Sequence, residues 1–311
     1  MVDLDTFVTW LYVEVDDYCN AHFPPEPRHG RTPTLCRSEV ITLALVGQWS
    51  RFGSERRFYA EVRRRLGAAF PRLPDRSQFN RLVRQHRPAI RELALGLAAS
   101  LDPVCPYEVL DTTGVVTRDC RRRGTGWLGD AVNKGRCTRV GWYVGFHLLT
   151  AATPHGAITG YCYGRASTND RHLADALLEG RAAASTLILP GVGTAHAPRY
   201  LADGGFWGPR VWQAHWRTAY HSPVLAPPQQ GTRYAAAWSR QARRWLASHR
   251  QIIETVHDRL LHPYGLARER PHSLSGFGAR LAAKIGLHNF CLLLNHHLGR
   301  PLLAVADLID W

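Results

Sequence analysis

The chain has 311 residues, and its 45% hydrophobic content is enough for a sizeable core and excludes wholesale disorder. Its 39 Lys and Arg residues, mostly arginine, outnumber 25 Asp and Glu residues and give a formal net charge of +14. Such an excess indicates an acidic partner, and no apolar run reaches the ~18 residues that a membrane span needs. We therefore expect nucleic acid rather than a membrane as the partner.

The cysteines and the N-terminal residues indicate a reducing compartment. Seven cysteines are odd in number, widely spaced and never in a C-x-x-C arrangement, which argues against a disulfide framework and against a zinc site. The first residues lack the basic region of a signal peptide. We therefore expect a cytoplasmic protein.

Residues 1–104 have the pattern of a helical domain that binds DNA. A basic helix over 54–66, a proline turn and a second helix from Arg76 resemble a helix-turn-helix, in which the start of the second helix meets base edges. We predict base contacts from Gln78, Asn80 and Arg81, and phosphate contacts from Arg76 and Arg84. The alternative is a solvated basic face of a helical bundle.

From residue 105 the periodicity changes to that of strands. The pattern predicts strands over 109–116, 140–151 and 156–163, a Gly/Arg-rich loop over 118–137, a helix from 168 towards 179, a short apolar run over 186–189 and a strand over 199–202. The first and the last of these strands lead into single aspartates, Asp111 and Asp203. A third acid, Glu254, lies in a helical segment.

Three antiparallel strands, a helix and a fourth strand follow the order of the ribonuclease H-like fold. In that fold the first and fourth strands are neighbours, so Asp111 and Asp203 are expected to meet, with Glu254 on a helix across the sheet. The predicted fold class is α+β or mixed α/β: an all-α domain over 1–104, then a ribonuclease H-like catalytic domain over 105–311. This second domain has a mixed five-stranded sheet flanked by helices and an aromatic-rich insert at about 206–235.

Three carboxylates in a basic chain suggest metal-dependent phosphate chemistry. Carboxylate oxygens suit hard divalent cations, and two Mg²⁺ ions ~3.5–4 Å apart can activate an attacking oxygen and its leaving group. We expect Asp111 to bridge two Mg²⁺ ions, with Asp203 and Glu254 completing one side each and Mn²⁺ as a substitute. A phosphate-binding glycine loop is missing, so ATP hydrolysis is not indicated. Alternatively, the aspartates are turn or cap residues and the glutamate is solvated.

Four motifs carry a specific resemblance. They are Leu110-Asp111-Thr112-Thr113, the Gly/aromatic strand from Gly141 to Leu148, Ala202-Asp203-Gly204, and Arg250 four residues before Glu254. Together with segments at 268–271, 275–280 and 284–295, they resemble bacterial insertion-sequence transposases of the DDE class. These enzymes have a ribonuclease H-like catalytic domain, and the resemblance covers nearly the whole chain. The Tyr and Lys that many relatives carry on the third motif's helix are Ala247 and Leu261 here.

The resemblance implies a nucleoid-associated transposase that cuts at element ends and joins them to target DNA. Its partner would be double-stranded DNA, as terminal inverted repeats and target, and its active complex at least a homodimer. Further DNA contacts are expected from Arg56, Arg57, Lys134, Arg139, Arg250, Arg280 and Lys284, with His147 as either a phosphate contact or a core histidine. The insert's tryptophans are expected in the core, with base stacking as the alternative. The rival functions are a catalytically silent DNA-binding protein (a remnant or repressor of the element) and a nuclease that cuts without joining.

Overall fold

The computed structural model describes residues 1–25, 33–122, 124, 126–186, 199–229, 232 and 238–311, without the side chains of 184–186. Two compact units divide the chain: residues 1–97, 260–266 and 271–311 form the first, and residues 98–259 and 267–270 form the second. The first unit thus includes residues 271–311, which the sequence-based division assigns to the catalytic domain. The predicted domain boundary at residue 104 stays a prediction.

The described residues contain the following regular elements. The helices are α1 (Leu4–His22), α2 (Arg37–Val46), α3 (Glu55–Arg65), α4 (Arg76–Gln85), α5 (Arg87–Leu101), α6 (Asp170–Thr186), α7 (Ala214–Ala219), α8 (Arg240–Leu261) and α9 (Leu274–His297). The strands are β1 (Val2–Asp3), β2 (Glu108–Arg118), β3 (Asn133–Cys137), β4 (Gly141–Ala152), β5 (Ile158–Arg165), β6 (Tyr200–Leu201), β7 (Val224–Leu225) and β8 (Ile309–Asp310). None of these helices combines the length and the apolar character that crossing a bilayer requires.

The first unit is built around α9. This helix is mostly apolar, and it is buried from Gly276 to Asn295 except at Arg280, as expected of a helix at the centre of a bundle. Its N-terminus is capped by Ser273, whose hydroxyl accepts the Gly276 N–H at 3.1 Å. Asn289, fully buried on α9, donates to the Ala94 carbonyl at 2.7 Å, so its amide reaches a partner inside the core.

The second unit holds a mixed sheet with the strand order β3-β4-β2-β6-β7. Strands β2, β4 and β5 form an antiparallel meander, and β6 and β7 continue the sheet parallel to β2. The turn between β4 and β5 uses Gly156 at φ +90°, a conformation that glycine adopts without steric cost. Helix α6 covers one face of the sheet, packing Leu173 and Leu177 near Leu110 and Leu149. The predicted mixed α/β class with a ribonuclease H-like strand order is confirmed.

The sheet has six strands in the described part, rather than the five predicted. The additional strand, β3, lies within the segment predicted as a loop over 118–137, and pairs with residues 141–145 of β4 while β5 pairs with residues 146–152. Its alternation is between exposed Lys134 and Arg136 and buried Gly135, so it has no apolar periodicity to reveal it. Thr186 belongs to α6, and the rest of the predicted run over 186–189 lies outside the described residues.

Candidate active site

Two aspartates lie side by side on neighbouring parallel strands. Asp111 is the fourth residue of β2, and Asp203 follows the end of β6, where the backbone stays extended at φ −81° and ψ −178°. Val109 pairs with Leu201, so the same register carried on by two residues sets Asp111 level with Asp203. Because alternate residues of a strand point to one face, both carboxylates lie on the same side of the sheet.

Asp111 is held by two partners in a largely buried position. Its Oδ1 accepts the backbone N–H of Thr112 at 2.8 Å, and its Oδ2 lies 3.2 Å from Nη2 of Arg250. Burial raises the pKa of the Asp111 carboxyl to about 7; the Arg250 charge opposes this rise, and the charges of Asp203 and Asp170 add to it. The carboxylate thus lies where negative charge is only partly compensated.

Helix α8 crosses the face of the sheet that carries Asp111. Arg250 reaches Asp111, and Nε2 of His257, seven residues later, lies 2.8 Å from the hydroxyl of Thr150, the residue opposite Asp111 on β4. His257 is buried, and burial, together with nearby arginine charges, lowers its pKa to about 3. The ring is therefore neutral at physiological pH and forms a hydrogen bond that anchors the helix to the sheet.

Glu254 lies one turn beyond Arg250 on the same helix, but its side chain is exposed. Within the part of the chain that the structure describes, its carboxylate takes part in no hydrogen bond or ion pair. The structure therefore gathers Asp111, Asp203 and Arg250 directly, and leaves the third acid free on the adjoining helix.

A fourth acid, Asp170, joins this site without having been predicted. It is the first residue of α6, and its Oδ1 accepts the Thr112 hydroxyl at 2.9 Å and lies 3.4 Å from Nε2 of His147. Acids are common at helix starts, so its sequence position suggested only a helix N-terminus. The fold places it beside the residue that follows Asp111.

The donor set fits a divalent cation. Carboxylate oxygens are the ligands that Mg²⁺ and Mn²⁺ prefer, and the charges of Asp203 and Asp170 add to the burial that raises the pKa of Asp111. Two of the acids approach Gly205 closely, because a Cβ there would lie 2.7 Å from Oδ2 of Asp170 and 2.9 Å from Oδ1 of Asp203, which accepts the Gly205 N–H at 2.8 Å. Among the described residues, no group of three or more His, Cys, Asp or Glu side chains is close enough to form a complete metal cluster. The residues present therefore fit such an ion in type and charge rather than as a finished ligand cage.

The predicted DNA-contacting residues of the first unit divide into two groups. Those with exposed side chains are Arg56, Arg57, Arg76, Gln78, Arg81 and Arg84. Asn80 is half-buried: its amide donates to the Glu55 carboxylate on α3 and to the Arg76 carbonyl, so it links α4 to α3. The exposed group forms a basic surface, whereas the Asn80 side chain is engaged within the protein.

Two predicted contacts on α9 differ in their exposure. Lys284 is only 4% exposed, and its amine donates to Oε1 of Gln48 at 2.9 Å and to the Tyr264 carbonyl at 2.6 Å. A buried ammonium is stable when protein oxygens replace its water, so this lysine lies inside the first unit and not on a surface open to DNA. Arg280 is half-buried on the same helix.

The predicted contacts of the second unit lie close to the strands. Lys134 is exposed over the Trp142 ring, 4.9 Å from its centroid, and Arg139 is exposed but donates to the Gly114 carbonyl at 2.7 Å. His147 is hydrogen-bonded, with Nδ1 donating to the Thr168 carbonyl at 2.8 Å. In the aromatic-rich insert, Trp216 is fully buried, which agrees with its expected place in the core.

Comparisons with known proteins identify the family to which the chain belongs. A family model described as "Transposase DDE domain" matches residues 109–290, more than half of the chain, a range that contains Asp111, Asp203 and Glu254. Searches of curated proteins and of solved structures found no match. On the strength of the family match, the chain belongs to the transposases of the DDE class.

Proposed function

We propose that the chain is the transposase of an insertion sequence, which cuts DNA at the ends of its own element and joins those ends to target DNA. The reactions would be phosphodiester hydrolysis and transesterification with two Mg²⁺ ions, for which Mn²⁺ can substitute. The observation that carries the proposal is the pair of carboxylates, Asp111 and Asp203, on neighbouring parallel strands, with Arg250 in an ion pair with Asp111.

Asp111 and Asp203 are the residues that would hold the ions, and Glu254 is the proposed third ligand. When bound, the ions would activate the attacking oxygen and neutralise charge on the phosphate. The chain's own part is to hold the first carboxylate still: the Thr112 N–H fixes Oδ1, and Arg250 fixes Oδ2 and favours the ionised form. The neutral ring of His257 secures the helix that carries Arg250 and Glu254.

The DNA partners in this proposal are the terminal inverted repeats and the target, both double-stranded. The exposed arginines of α3 and α4 support phosphate binding, and Gln78 and Arg81 at the start of α4 support contact with base edges. Lys134, Arg139 and Arg280 are proposed as further contacts with the DNA. Transposition holds two DNA ends at once, so the active complex is proposed to be at least a homodimer.

A cleavage assay tests this proposal. A plasmid carrying the element's ends is incubated with Mg²⁺ and the wild type, Asp203→Asn, or Glu179→Gln, which removes an exposed carboxylate from α6; binding is measured in parallel. We expect the wild type and Glu179→Gln to cut, and Asp203→Asn to bind without cutting. Cleavage that survives in Asp203→Asn would refute the assignment of this acid. Binding without cleavage in all three proteins would favour the silent DNA-binding alternative.

A further inference from the structure

We propose that Asp170 is a further carboxylate ligand of the divalent ion that Asp203 holds, so that α6 as well as the sheet contributes to the metal site. This inference rests on the proposed function, and adds to it an acid that the two strand aspartates and Glu254 do not include.

Thr112 ties Asp170 to the first catalytic acid. Its backbone N–H donates to Oδ1 of Asp111 at 2.8 Å, while its hydroxyl donates to Oδ1 of Asp170 at 2.9 Å. One residue of β2 therefore fixes the orientation of two carboxylates, one from the strand itself and one from α6. Metal sites depend on residues of this kind, which form hydrogen bonds with the ligands and hold them in the right orientation.

The oxygens of Asp170 have different surroundings. Oδ1 is enclosed by the Thr112 hydroxyl and, 3.4 Å away, by Nε2 of His147. No protein hydrogen bond to Oδ2 is found within the described ranges. Oδ2 instead lies beside Gly205, where an added Cβ would be 2.7 Å from it. It is thus the oxygen that remains for a cation.

Asp203 approaches the same glycine. The Cβ position of Gly205 is also 2.9 Å from Oδ1 of Asp203, which accepts the Gly205 backbone N–H at 2.8 Å, so oxygens of the two carboxylates lie close together beside one residue. Two ionised carboxylates at such close range repel each other unless a proton or a cation lies between them. A divalent cation that prefers carboxylate oxygens would neutralise the negative charge and bind to these donor atoms.

Another residue supplies the side-chain acceptor at the start of α6. Asn169 accepts the Arg171 backbone N–H through Oδ1 at 3.0 Å, so the first turn of α6 already has a side-chain acceptor.

The first test is Mn²⁺ binding to the full chain without DNA, measured by titration calorimetry. Asp170→Asn keeps an acceptor for Thr112 but loses the charge, and we expect its Mn²⁺ affinity to fall about tenfold or more, in the same direction as for Asp203→Asn. Glu179→Gln, which removes an exposed carboxylate from the same helix, is the matched control and should bind like the wild type. Thermal unfolding without metal checks that each variant folds.

Gly205→Ala gives an independent test that leaves every carboxylate in the chain. Its methyl group would lie 2.7 Å from Oδ2 of Asp170 and 2.9 Å from Oδ1 of Asp203 and would displace these oxygens, so Mn²⁺ affinity should fall. Gly180→Ala on α6 is its control, because a Cβ there meets no atom within 4 Å. If Asp170→Asn fails to fold, the result for Gly205→Ala decides.

Two contrary results have different meanings. Wild-type Mn²⁺ affinity in Asp170→Asn and Gly205→Ala, with affinity lost in Asp203→Asn, would overturn this inference and leave the proposed function standing. Wild-type affinity in all of these variants, Asp203→Asn included, would remove the metal site itself and with it the proposed mechanism.

Discussion

Asp111→Asn tests the electrostatics of the site through protein stability. Burial raises the pKa of this carboxyl from 3.8 to about 7, so in metal-free protein the unfolded chain ionises it first as pH rises. Between these two values the folded state loses about 1.4 kcal/mol for each pH unit, or about 4 kcal/mol in all. This penalty is absent below about pH 4 and complete above about pH 7. Asp111→Asn has no carboxyl group at this position, so its stability does not include this penalty.

The assay is urea unfolding in a chelator at about pH 4.5 and about pH 8, where the ionisation curve gives a difference of about 3 kcal/mol. Relative to Asp111→Asn, the wild type should lose that amount on going to the higher pH. Saturating Mg²⁺ should restore stability to the wild type far more than to the variant. Asp258→Asn, which removes a 55% exposed carboxylate, controls for the loss of one charge. Equal pH dependence in the wild type and Asp111→Asn would show that the Asp111 carboxyl does not carry this penalty.

Three further predictions concern charged or buried groups near the sheet. Arg250→Ala removes the charge that opposes the raised pKa of Asp111, so that pKa should rise further and cleavage at pH 7 should fall about tenfold or more, as a pH–rate profile would reveal. Glu108→Gln leaves the buried guanidinium of Arg181 without its ionised partner and should cost about 3–5 kcal/mol in urea unfolding, with Mn²⁺ affinity unchanged. His257, with its pKa lowered from 6.5 to about 3, should stay neutral by NMR from about pH 5 to 8. Because the unfolded chain takes up the proton first, the free energy of unfolding should fall as pH falls from 6.5 towards 3.

The sequence predicted the elements whose side chains alternate or form apolar runs. Strand β2, the meander that follows it and β6 all show such patterns, and the two aspartates stand where those patterns break. Pairing of the first and fourth strands is then expected because the order of elements is that of the ribonuclease H-like fold, in which these strands are neighbours, and β2 does pair with β6. The family match over 109–290 confirms the class of protein.

Other features depend on contacts between distant residues, which no local pattern encodes. Asp170 meets Thr112 across 58 positions, and the cation of Lys284 is buried because Gln48 and a backbone carbonyl happen to face it. Strand β3 pairs through its backbone, and its sequence of Asn, Lys, Gly, Arg and Cys has no apolar alternation, so hydrophobic periodicity does not reveal it. These features need the three-dimensional arrangement.

Strand joining tests the central claim most directly. A short duplex that carries the element's end with a free 3′-hydroxyl is incubated with a target plasmid and Mg²⁺, using the wild type and Asp203→Asn. We expect covalent joining of the 3′-end to the plasmid by the wild type, and no joined product with the variant. Plasmid nicking without joining would indicate a nuclease, and equal joining by both proteins would contradict the role assigned to Asp203.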